Sequence, residues 1–214
     1  TEKEFDSIRD EIYMKLRYFG LANIINTFDA IFVSHKDILP IKLLNKKIPI
    51  EQLYFNLKKD KIDIDKNNKI KLSFSGYLNE YRLETLINLC KDKNDFFDYS
   101  EIDKIIKYSK PRFIKQFHHE KNYCSIHIKK TKNWLYSSPT RYINSINKNE
   151  IPLILEDFSD EDSKLLTLKA GSLNAKNWNE FEKEIDELNN GIKRYRMLLN
   201  NNEQSLKKFI GKLI

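Results

Sequence analysis

Hydrophobic and polar residues follow one another in a way that predicts strands and helices in turn along the middle of the chain. Residues 70–74 and 124–128 alternate apolar and polar side chains, and 151–155 is a continuous apolar run, so we expect three strands. Residues 80–90 instead have apolar side chains every three or four positions, the spacing of an amphipathic helix. Strands that alternate with helices are typical of an α/β protein.

The same patterns predict further elements on both sides of this region. We expect additional helices over 3–27, 35–44, 100–108 and 138–146, a short helix from 159, and additional strands over 29–34, 48–55, 96–99 and 165–168. From residue 177 the apolar spacing is helical almost to the end, with a break predicted at the asparagines 200–202. The predicted fold class is therefore α/β, with an open, mostly parallel Rossmann-like sheet flanked by helices and followed by C-terminal helices.

These elements predict a chain of four parts. We expect residues 1–57 to end a first domain, 58–69 to form a charged linker, 70–176 to form the Rossmann-like domain and 177–214 to form the C-terminal helices. Because the chain begins with Thr1 rather than methionine, we also expect it to be part of a longer protein.

The charge of the chain narrows the class of partner. Its 38 lysines and arginines exceed its 31 aspartates and glutamates, and the net charge of +7 favours nucleotide diphosphates, anionic lipid headgroups or nucleic acid. The plainer alternative is that a composition rich in lysine, asparagine and isoleucine, and with it the positive charge, reflects an AT-rich genome. No apolar run approaches the roughly 18 residues that span a bilayer, and no signal peptide is recognisable, which predicts a cytoplasmic location.

Few residues suit metal or nucleophile chemistry. Cys90 and Cys124 are too few for a disulfide framework and predict free thiols in a reducing compartment. Cys124 with the nearby His118 and His119 lacks the spacing of a zinc finger or knuckle, so no metal is expected. His127 ends a predicted strand, where we expect a solvated side chain, with substrate contact as the alternative. No GxxxxGK[ST] loop, GxSxG elbow or HExxH pair supports a kinase, hydrolase or metalloprotease.

The strongest candidate site begins at Ser138. Ser138 and Thr140 are suited to cap a helix, and the free N–H groups of that helix end, together with the Arg141 guanidinium, suit a phosphate. The helix leads to an apolar strand that stops at Glu156 and Asp157. Ligands of open α/β sheets bind at the carboxyl ends of strands, so these acids are predicted to face the same ligand. A surface ion pair between Arg141 and an acid is the alternative.

A second candidate contact follows the strand 70–74. Gly76 lies in a predicted turn between this strand and the helix 80–90, where a residue without a Cβ lets a phosphate approach the backbone. Asn79 and Arg82 flank that turn. A strand, a glycine turn and a helix in this order are the start of a nucleotide-binding unit in many α/β proteins.

Together these segments resemble the donor-sugar-binding region of two-domain (GT-B) glycosyltransferases, particularly bacterial and exostosin-like ones. In that family a Ser/Thr-x-x-Arg helix precedes a Gly-x-Pro-rich strand and an acidic loop, and the donor domain opens with a strand and a glycine-containing loop. The matching residues are Ser138, Thr140 and Arg141 in the helix, 151–155 in the strand, Glu156 and Asp157 in the acidic loop, and Gly76, Asn79 and Arg82 in the opening loop. The chain departs from the pattern at Ser145, where many members have a ribose-binding glutamate, and at Asn149 and Glu150, where a glycine is usual.

The resemblance implies an enzyme that transfers a sugar from a nucleotide-sugar donor to a cell-surface glycan or lipid-linked acceptor. It implies donor and phosphate binding by Gly76, Arg82, Ser138, Thr140 and Arg141, and sugar or ribose binding by Glu156 and Asp157. No metal and no cofactor beyond the nucleotide-sugar substrate is implied. The first part of the chain would end the acceptor-side domain, in most of which the general base of the family lies, so no catalytic residue is assigned. Peripheral contact with the anionic inner face of a membrane is compatible with this function, and nucleic acid is not the expected partner.

Two other classes of function compete with this interpretation. The lysines of 129–132, beside Trp134 and Tyr136, form a basic and aromatic segment that suits single-stranded nucleic acid or lipid headgroups, although a solvated loop is the plainest explanation. Alternatively, the amphipathic C-terminal helices form the oligomer interface of a non-catalytic scaffold.

Overall fold

The computed structural model describes residues 12, 15–16, 31–33, 50–108, 110, 112–114, 122–132, 139–156 and 161–213. The chain forms two compact units, Thr1–Tyr54 with Asn201–Ile214, and Phe55–Asn200. In chain order the described elements are β1 (Ile31–Val33), β2 (Ile50–Gln52), β3 (Ile70–Phe74), β4 (Gly76–Leu78), α1 (Glu80–Leu89), β5 (Phe97–Asp98), α2 (Ser100–Lys107), β6 (Arg112–Ile114), β7 (Tyr123–His127), α3 (Pro139–Asn147), β8 (Ile151–Ile154), α4 (Glu161–Leu166), β9 (Leu168–Lys169), a 3-10 helix (Ala170–Asn174) and α5 (Trp178–Leu213).

Five parallel strands form the sheet of the second unit, in the order β5-β3-β7-β8-β9. In the middle of this sheet Leu72 lies opposite Cys124, and Ile126 lies opposite Leu153. All four side chains are buried. Every residue of β8 is buried as well, and a strand covered on both faces has a continuous apolar sequence. After β3 the chain crosses to β5 and then returns past β3 to β7, so the strand order reverses between β3 and β7. The predicted α/β class, with a Rossmann-like parallel sheet flanked by helices, is confirmed.

The final strand predicted over 165–168 is present as β9, but its predicted bounds are wrong. Helix α4 continues to Leu166, and the strand that follows begins at Leu168, which lies opposite Leu153 of β8. At the end of α4 the Thr167 hydroxyl donates to the carbonyl of Ser163, a side-chain bond to the preceding turn that is compatible with helical geometry. An apolar run of four residues does not distinguish the end of a buried helix from the start of a buried strand.

The predicted helix break at 200–202 is also wrong, because α5 continues without interruption from Trp178 to Leu213. Asparagine disfavours a helix by only about 0.7 kcal/mol relative to alanine, far less than proline, so three in succession do not end a long helix. One of them is also used in the first unit, where the Asn202 amide donates to the Gln52 carbonyl at 2.8 Å.

A two-stranded antiparallel ribbon stands where the sequence predicts only a glycine turn. Gly76 has φ of +127°, a conformation that favours glycine, and the chain then enters β4, which pairs with β6. Tyr77 lies opposite Phe113, while Leu78 and Ile114 are buried. The ribbon could not be predicted, because its strands are three residues long and are separated by α1, β5 and α2.

Asparagine side chains hold the polar segment 58–69, for which the composition predicts a linker, inside the second unit. The Asn189 amide accepts from the Ile62 N–H (2.8 Å) and donates to its carbonyl (3.4 Å). Asn149 makes the same pair of bonds to Asp63, at 3.0 and 2.8 Å. Such amides satisfy backbone groups that a strand partner would otherwise satisfy.

Asn122 and Asn149, the two asparagines that precede strands of the sheet, both bond to this segment and both have a left-handed backbone conformation. Asn122, before β7, accepts from the Asp65 N–H at 2.7 Å and also donates to the Asp65 carbonyl. Asn122 and Asn149 have φ of 68° and 63°, the left-handed conformation that asparagine tolerates better than most residues. At both positions a glycine would also adopt the observed conformation without strain.

In the first unit, β1 and β2 form a parallel pair, with Ile31 opposite Ile50. Strands were predicted at both places, although over longer ranges. Residues 12 and 15–16, within the predicted first helix, are helical. The predicted helix over 35–44 lies outside the described residues.

Candidate functional site

The carboxyl ends of β3, β7 and β8 meet at one edge of the sheet, because neighbouring strands of a parallel sheet run in the same direction. Helix α3 returns from this edge, so its first turn, with Pro139, Thr140 and Arg141, also lies there. Proline at the first position suits a helix start, because its missing N–H would have no partner in the helix. The strand order reverses between β3 and β7, and such a reversal is where open α/β sheets bind their ligands.

The Arg82 side chain connects the segment after β3 to the loop after β7 through hydrogen bonds. Its side chain is only 4% exposed, and its guanidinium donates to the carbonyls of Tyr77 (2.8 Å), Ile128 (3.0 Å) and Lys129 (3.0 Å). Three nitrogens of one planar group therefore fix two loops that are about 50 residues apart in sequence. The sequence predicted that Arg82 contacts the donor phosphate. In the structure its guanidinium is buried and bonded to three backbone carbonyls, and its contact with a phosphate stays a prediction.

Asn79 strengthens the same junction from the start of α1. Its side-chain oxygen caps the helix by accepting from the Arg82 N–H at 3.0 Å, and its side-chain nitrogen donates to the Lys130 carbonyl at 2.7 Å. One side chain therefore both starts the helix and holds the loop after β7. Gly76 is close to this junction, since a Cβ on it would lie 3.9 Å from the Arg82 guanidinium.

His127 is the last residue of β7 and lies beneath the first turns of α3. Its ring meets the Tyr142 ring edge-on, with centroids 5.1 Å apart, and its Nε2 lies 3.4 Å from the hydroxyl of buried Ser145. Ser145 in turn hydrogen-bonds the carboxyl group of Glu150, whose pKa is raised chiefly by burial. Ser145, the departure from the family pattern, is thus part of a buried polar chain beneath the site.

Three basic groups converge at this edge from three different elements. Burial, followed by the charge of Arg141, lowers the pKa of Arg82 to about 10. Burial also lowers the pKa of His127 to about 3, with further contributions from Arg141 and Arg82. Arg141 itself is exposed, and no aspartate or glutamate of the described residues forms an ion pair with it. Near neutral pH His127 is therefore uncharged, and the positive charge at this edge comes from Arg82 and Arg141, which form no ion pair with an acid of the described residues.

Glu156, the acid that follows β8, is already engaged by two other elements. One carboxylate oxygen accepts from the Tyr81 hydroxyl, and the other accepts from the Lys129 N–H at 3.3 Å. Burial raises the pKa of Glu156, while the Lys129 bond opposes that rise. Glu156 therefore helps to fix the loop after β7, and because a carboxylate oxygen can accept more than one hydrogen bond, a hydroxyl of a ligand can still bond to it.

Of the remaining residues predicted to bind the donor, Thr140 is described in the structure, whereas Ser138 and Asp157 are not. Thr140 lies beside a pocket of about 430 Å³ whose other lining residues include Phe55, Asn144 and Lys148. Ser138 and Asp157 lie outside the described residues, as do His118, His119, Trp134 and Tyr136. Tyr81 was not predicted as part of the site, because a tyrosine on an amphipathic helix carries no local signal that it meets an acid 75 residues later.

Within the ranges that the structure describes, no group of three or more histidine, cysteine, aspartate or glutamate side chains is placed to hold a metal ion. No helix among those same residues has the length and apolarity to cross a membrane.

The position of His127 predicts a specific loss of stability in weak acid. Its pKa is about 3 in the folded protein and about 6.5 in an unfolded chain. Between these values the unfolded chain binds a proton that the folded protein does not, so stability falls as pH drops below about 6.5. Well inside this window we expect the free energy of unfolding to lose about 1.4 kcal/mol per pH unit through His127.

Urea unfolding of the wild type and of His127→Gln at several pH values between 7 and about 4.5 measures this loss. The variant should show a shallower decline, since the other titrating groups are common to both proteins. Equal slopes for the two proteins would show that His127 titrates normally.

Comparison of the chain with protein-family models, curated proteins and solved structures gave no match. The likeness to GT-B glycosyltransferases therefore rests on the residues quoted above and remains a hypothesis.

Proposed function

We propose that the chain is the donor-binding part of a glycosyltransferase and holds the diphosphate of a nucleotide-sugar at Arg141. The observation that supports this most directly is the pair of cationic side chains, Arg141 and Arg82, at the carboxyl edge of a parallel sheet, beside the point where strand order reverses. An exposed guanidinium in the first turn of a helix can donate two parallel bonds to a phosphate, and the helix end adds its own positive field. An anion there is attracted by Arg141 and Arg82, whereas His127, with a pKa of about 3, is uncharged near neutral pH.

The same arrangement suits the chemistry of sugar transfer. When the bond between the anomeric carbon and the phosphate oxygen breaks, negative charge grows on the departing diphosphate, while an acceptor hydroxyl oxygen bonds to that carbon and gives up its proton to a general base, which the family resemblance implies in the acceptor-side domain. Positive groups fixed before the reaction stabilise such charge most effectively. Arg141 would contact the diphosphate, and Arg82 would act through the loops that it fixes and through its charge.

Neighbouring groups provide contacts for the rest of the donor. Glu156 would orient a hydroxyl of the sugar or ribose, as would Asp157, while Gly76 would let the loop backbone approach the phosphate. The pocket beside Thr140 offers the Phe55 ring together with amide groups such as that of Asn144, a combination that accepts a sugar or a base. The acceptor would be a cell-surface glycan or a lipid-linked saccharide.

Binding of nucleotides tests this proposal. UDP, GDP, CMP and ADP, alone and as their sugar conjugates, are added to the wild type, Arg141→Ala and Arg194→Ala, and unfolding temperatures are recorded. Arg194 is a control for the loss of an arginine, because it is an exposed arginine on α5, a helix that contributes none of the residues named at the sheet edge. A ligand at about 100 times its Kd should stabilise the folded state by about 2.7 kcal/mol, a rise in Tm of several degrees.

We expect one nucleotide family to raise the Tm of the wild type and of Arg194→Ala but not that of Arg141→Ala. If no nucleotide stabilises the wild type, or if Arg141→Ala responds as the wild type does, the donor-site proposal is wrong. Binding of single-stranded nucleic acid that weakens steeply with salt, without any response to nucleotide-sugars, would favour the nucleic-acid alternative.

A further inference from the structure

Glu156 is a partly buried carboxylate that has no positively charged partner. It is the second residue after β8, and its two oxygens accept from the Tyr81 hydroxyl and from the Lys129 N–H. Both donors are neutral, and no cation of the described residues forms an ion pair with Glu156. Glutamate is rarely removed from water without such a partner, and burial raises the pKa of this carboxyl group. The protein therefore keeps an acid here at a cost in stability.

Holding the loops in place does not by itself require this acid. Elsewhere in the second unit neutral asparagine amides hold the backbone, as Asn149 does at Asp63. The bond from the Lys129 N–H is long, at 3.3 Å, and a single amide oxygen would serve for the contact with Tyr81. A negative charge is therefore of use chiefly to a donor that comes from outside the chain.

The carboxylate lies at the edge of the sheet where a ligand is expected. Glu156 follows β8, and Lys129 lies in the loop after β7, so both belong to the carboxyl ends of neighbouring parallel strands. Tyr81 reaches the same carboxylate from the first turn of α1. Tyr81 and Glu156 are each partly exposed, so a ligand at this edge can reach them.

Tyr81 and Glu156 together offer a ligand only hydrogen-bond acceptors. An ionised carboxylate has no proton to donate, and the one proton of the tyrosine hydroxyl is used in the bond to Glu156. A carboxylate oxygen can accept more than one bond, so a ligand can bond to this pair through a donor. A hydroxyl meets that requirement, whereas a phosphate or a carboxylate would bring a like charge and no proton.

We propose that Tyr81 is a positioning residue that holds the Glu156 carboxylate ready to accept from a hydroxyl of the ligand, so that the pair selects ligands with a hydroxyl at this place. A carboxylate that is fixed before binding loses less freedom when the ligand arrives. This role rests on the proposed function, which supplies the nucleotide-sugar, and the hydroxyl belongs either to the transferred sugar or to the ribose.

Calorimetric titration with matched ligands tests the role of the pair. The first set of probes is UDP, UDP-glucose and 2′-deoxy-UDP, and the second is GDP, GDP-mannose and 2′-deoxy-GDP. A sugar hydroxyl at Glu156 makes the sugar conjugate bind more tightly than the bare diphosphate. A ribose hydroxyl makes the ribonucleotide bind more tightly than the deoxynucleotide.

Both substitutions should weaken only the binding of the ligand that carries the hydroxyl. For Glu156→Gln we expect a loss of about tenfold, the difference between a bond to a charged acceptor and one to a neutral acceptor. For Tyr81→Phe we expect a loss of about two- to tenfold, the range of one neutral hydrogen bond. The matched ligand without that hydroxyl should bind to both variants as it does to the wild type.

The double variant separates positioning from a merely structural role. Because Tyr81 acts through Glu156, Tyr81→Phe should change affinity by less than about twofold in the Glu156→Gln background. Tyr108→Phe and Glu187→Gln make the same chemical changes at exposed positions that are not bonded to the pair, and both should bind every probe as the wild type does. Circular dichroism should show that all variants fold.

The outcomes distinguish this role from the proposed function. If neither set of probes binds to the wild type, the proposed function is wrong, and the role of Tyr81 falls with it. If nucleotides bind but the two substitutions weaken both ligands of a matched pair alike, change neither, or have additive effects, donor binding stands and the role of Tyr81 is wrong.

Discussion

Replacing Arg82 with alanine should lower the free energy of unfolding by about 3–5 kcal/mol. The substitution leaves three carbonyls, those of Tyr77, Ile128 and Lys129, without the donor that now satisfies them in a largely buried position. Bonds to a charged donor contribute more than neutral ones, and removing one partner of a buried polar contact costs more than the contact itself contributes. Denaturant unfolding measures the change, and Arg194→Ala, at an exposed position, should change stability by less than about 0.5 kcal/mol.

Arg82→Lys separates the geometry of the side chain from its charge. Lysine keeps the positive charge, but a single ammonium group cannot reach carbonyls on two loops with the fixed fork of a guanidinium. We therefore expect the lysine variant to lose most of the same stability and to bind nucleotide more weakly than the wild type. If Arg82→Lys retains full stability and nucleotide affinity, then Arg82 acts through charge alone and does not fix the loops.

Gly191→Ala should destabilise the second unit by about 3 kcal/mol, the upper part of the range for overpacked interiors. A Cβ at this position would lie 1.9 Å from the carbonyl oxygen of Leu165 and 2.9 Å from its carbonyl carbon. These atoms belong to the backbone of α4, so the contact is relieved only if α4 and α5 move apart. Such a movement would disturb the packing of Leu188 and Ile192, which are buried on the same helix. For a chain of this size we expect the Tm to fall by roughly 6–12 °C.

Gly211→Ala provides the control on the same helix. No atom lies within 4 Å of the position of its added Cβ, and the residue is exposed. Because alanine favours a helix by about 1 kcal/mol relative to glycine, this variant should be as stable as the wild type or slightly more so. If both alanine variants have the same effect, the close approach of α4 and α5 at Gly191 is not what requires glycine.

Hydrophobic spacing was sufficient to predict the elements that position the site. The strand 70–74 and the helix 80–90 agree with β3 and α1 to within one residue, and 151–155 agrees with β8 to the same extent. These predictions succeeded because a buried strand and an amphipathic helix leave their periodicity in adjacent residues. The bounds predicted for the strand at 165–168 and the break predicted at 200–202 were wrong, because short apolar runs and asparagines are compatible with more than one structure.

The roles of side chains at the site depended on residues far away in the sequence. Arg82 resembles a phosphate ligand in sequence, but its partners include carbonyls 46 and 47 residues later, and no local pattern shows that they come within 3.0 Å. Glu156 looked like a free acid after a strand, yet Tyr81 and the Lys129 N–H hold both of its oxygens. The assignment of Arg141 to the sheet edge was available from the order of elements alone, although its role in binding remains a prediction.

The sequence by itself determined the α/β class, the main strands and helices of the second unit and the edge at which its charged residues gather. Each of these follows from adjacent residues and from the direction of parallel strands. Only the tertiary structure decided that Arg82 fixes two loops, that Asn122, Asn149 and Asn189 hold the polar segment, and that Tyr77 meets Phe113. Hydrogen bonds and packing contacts are short-ranged, so a side chain acquires its role only when folding brings its partner within a few ångströms.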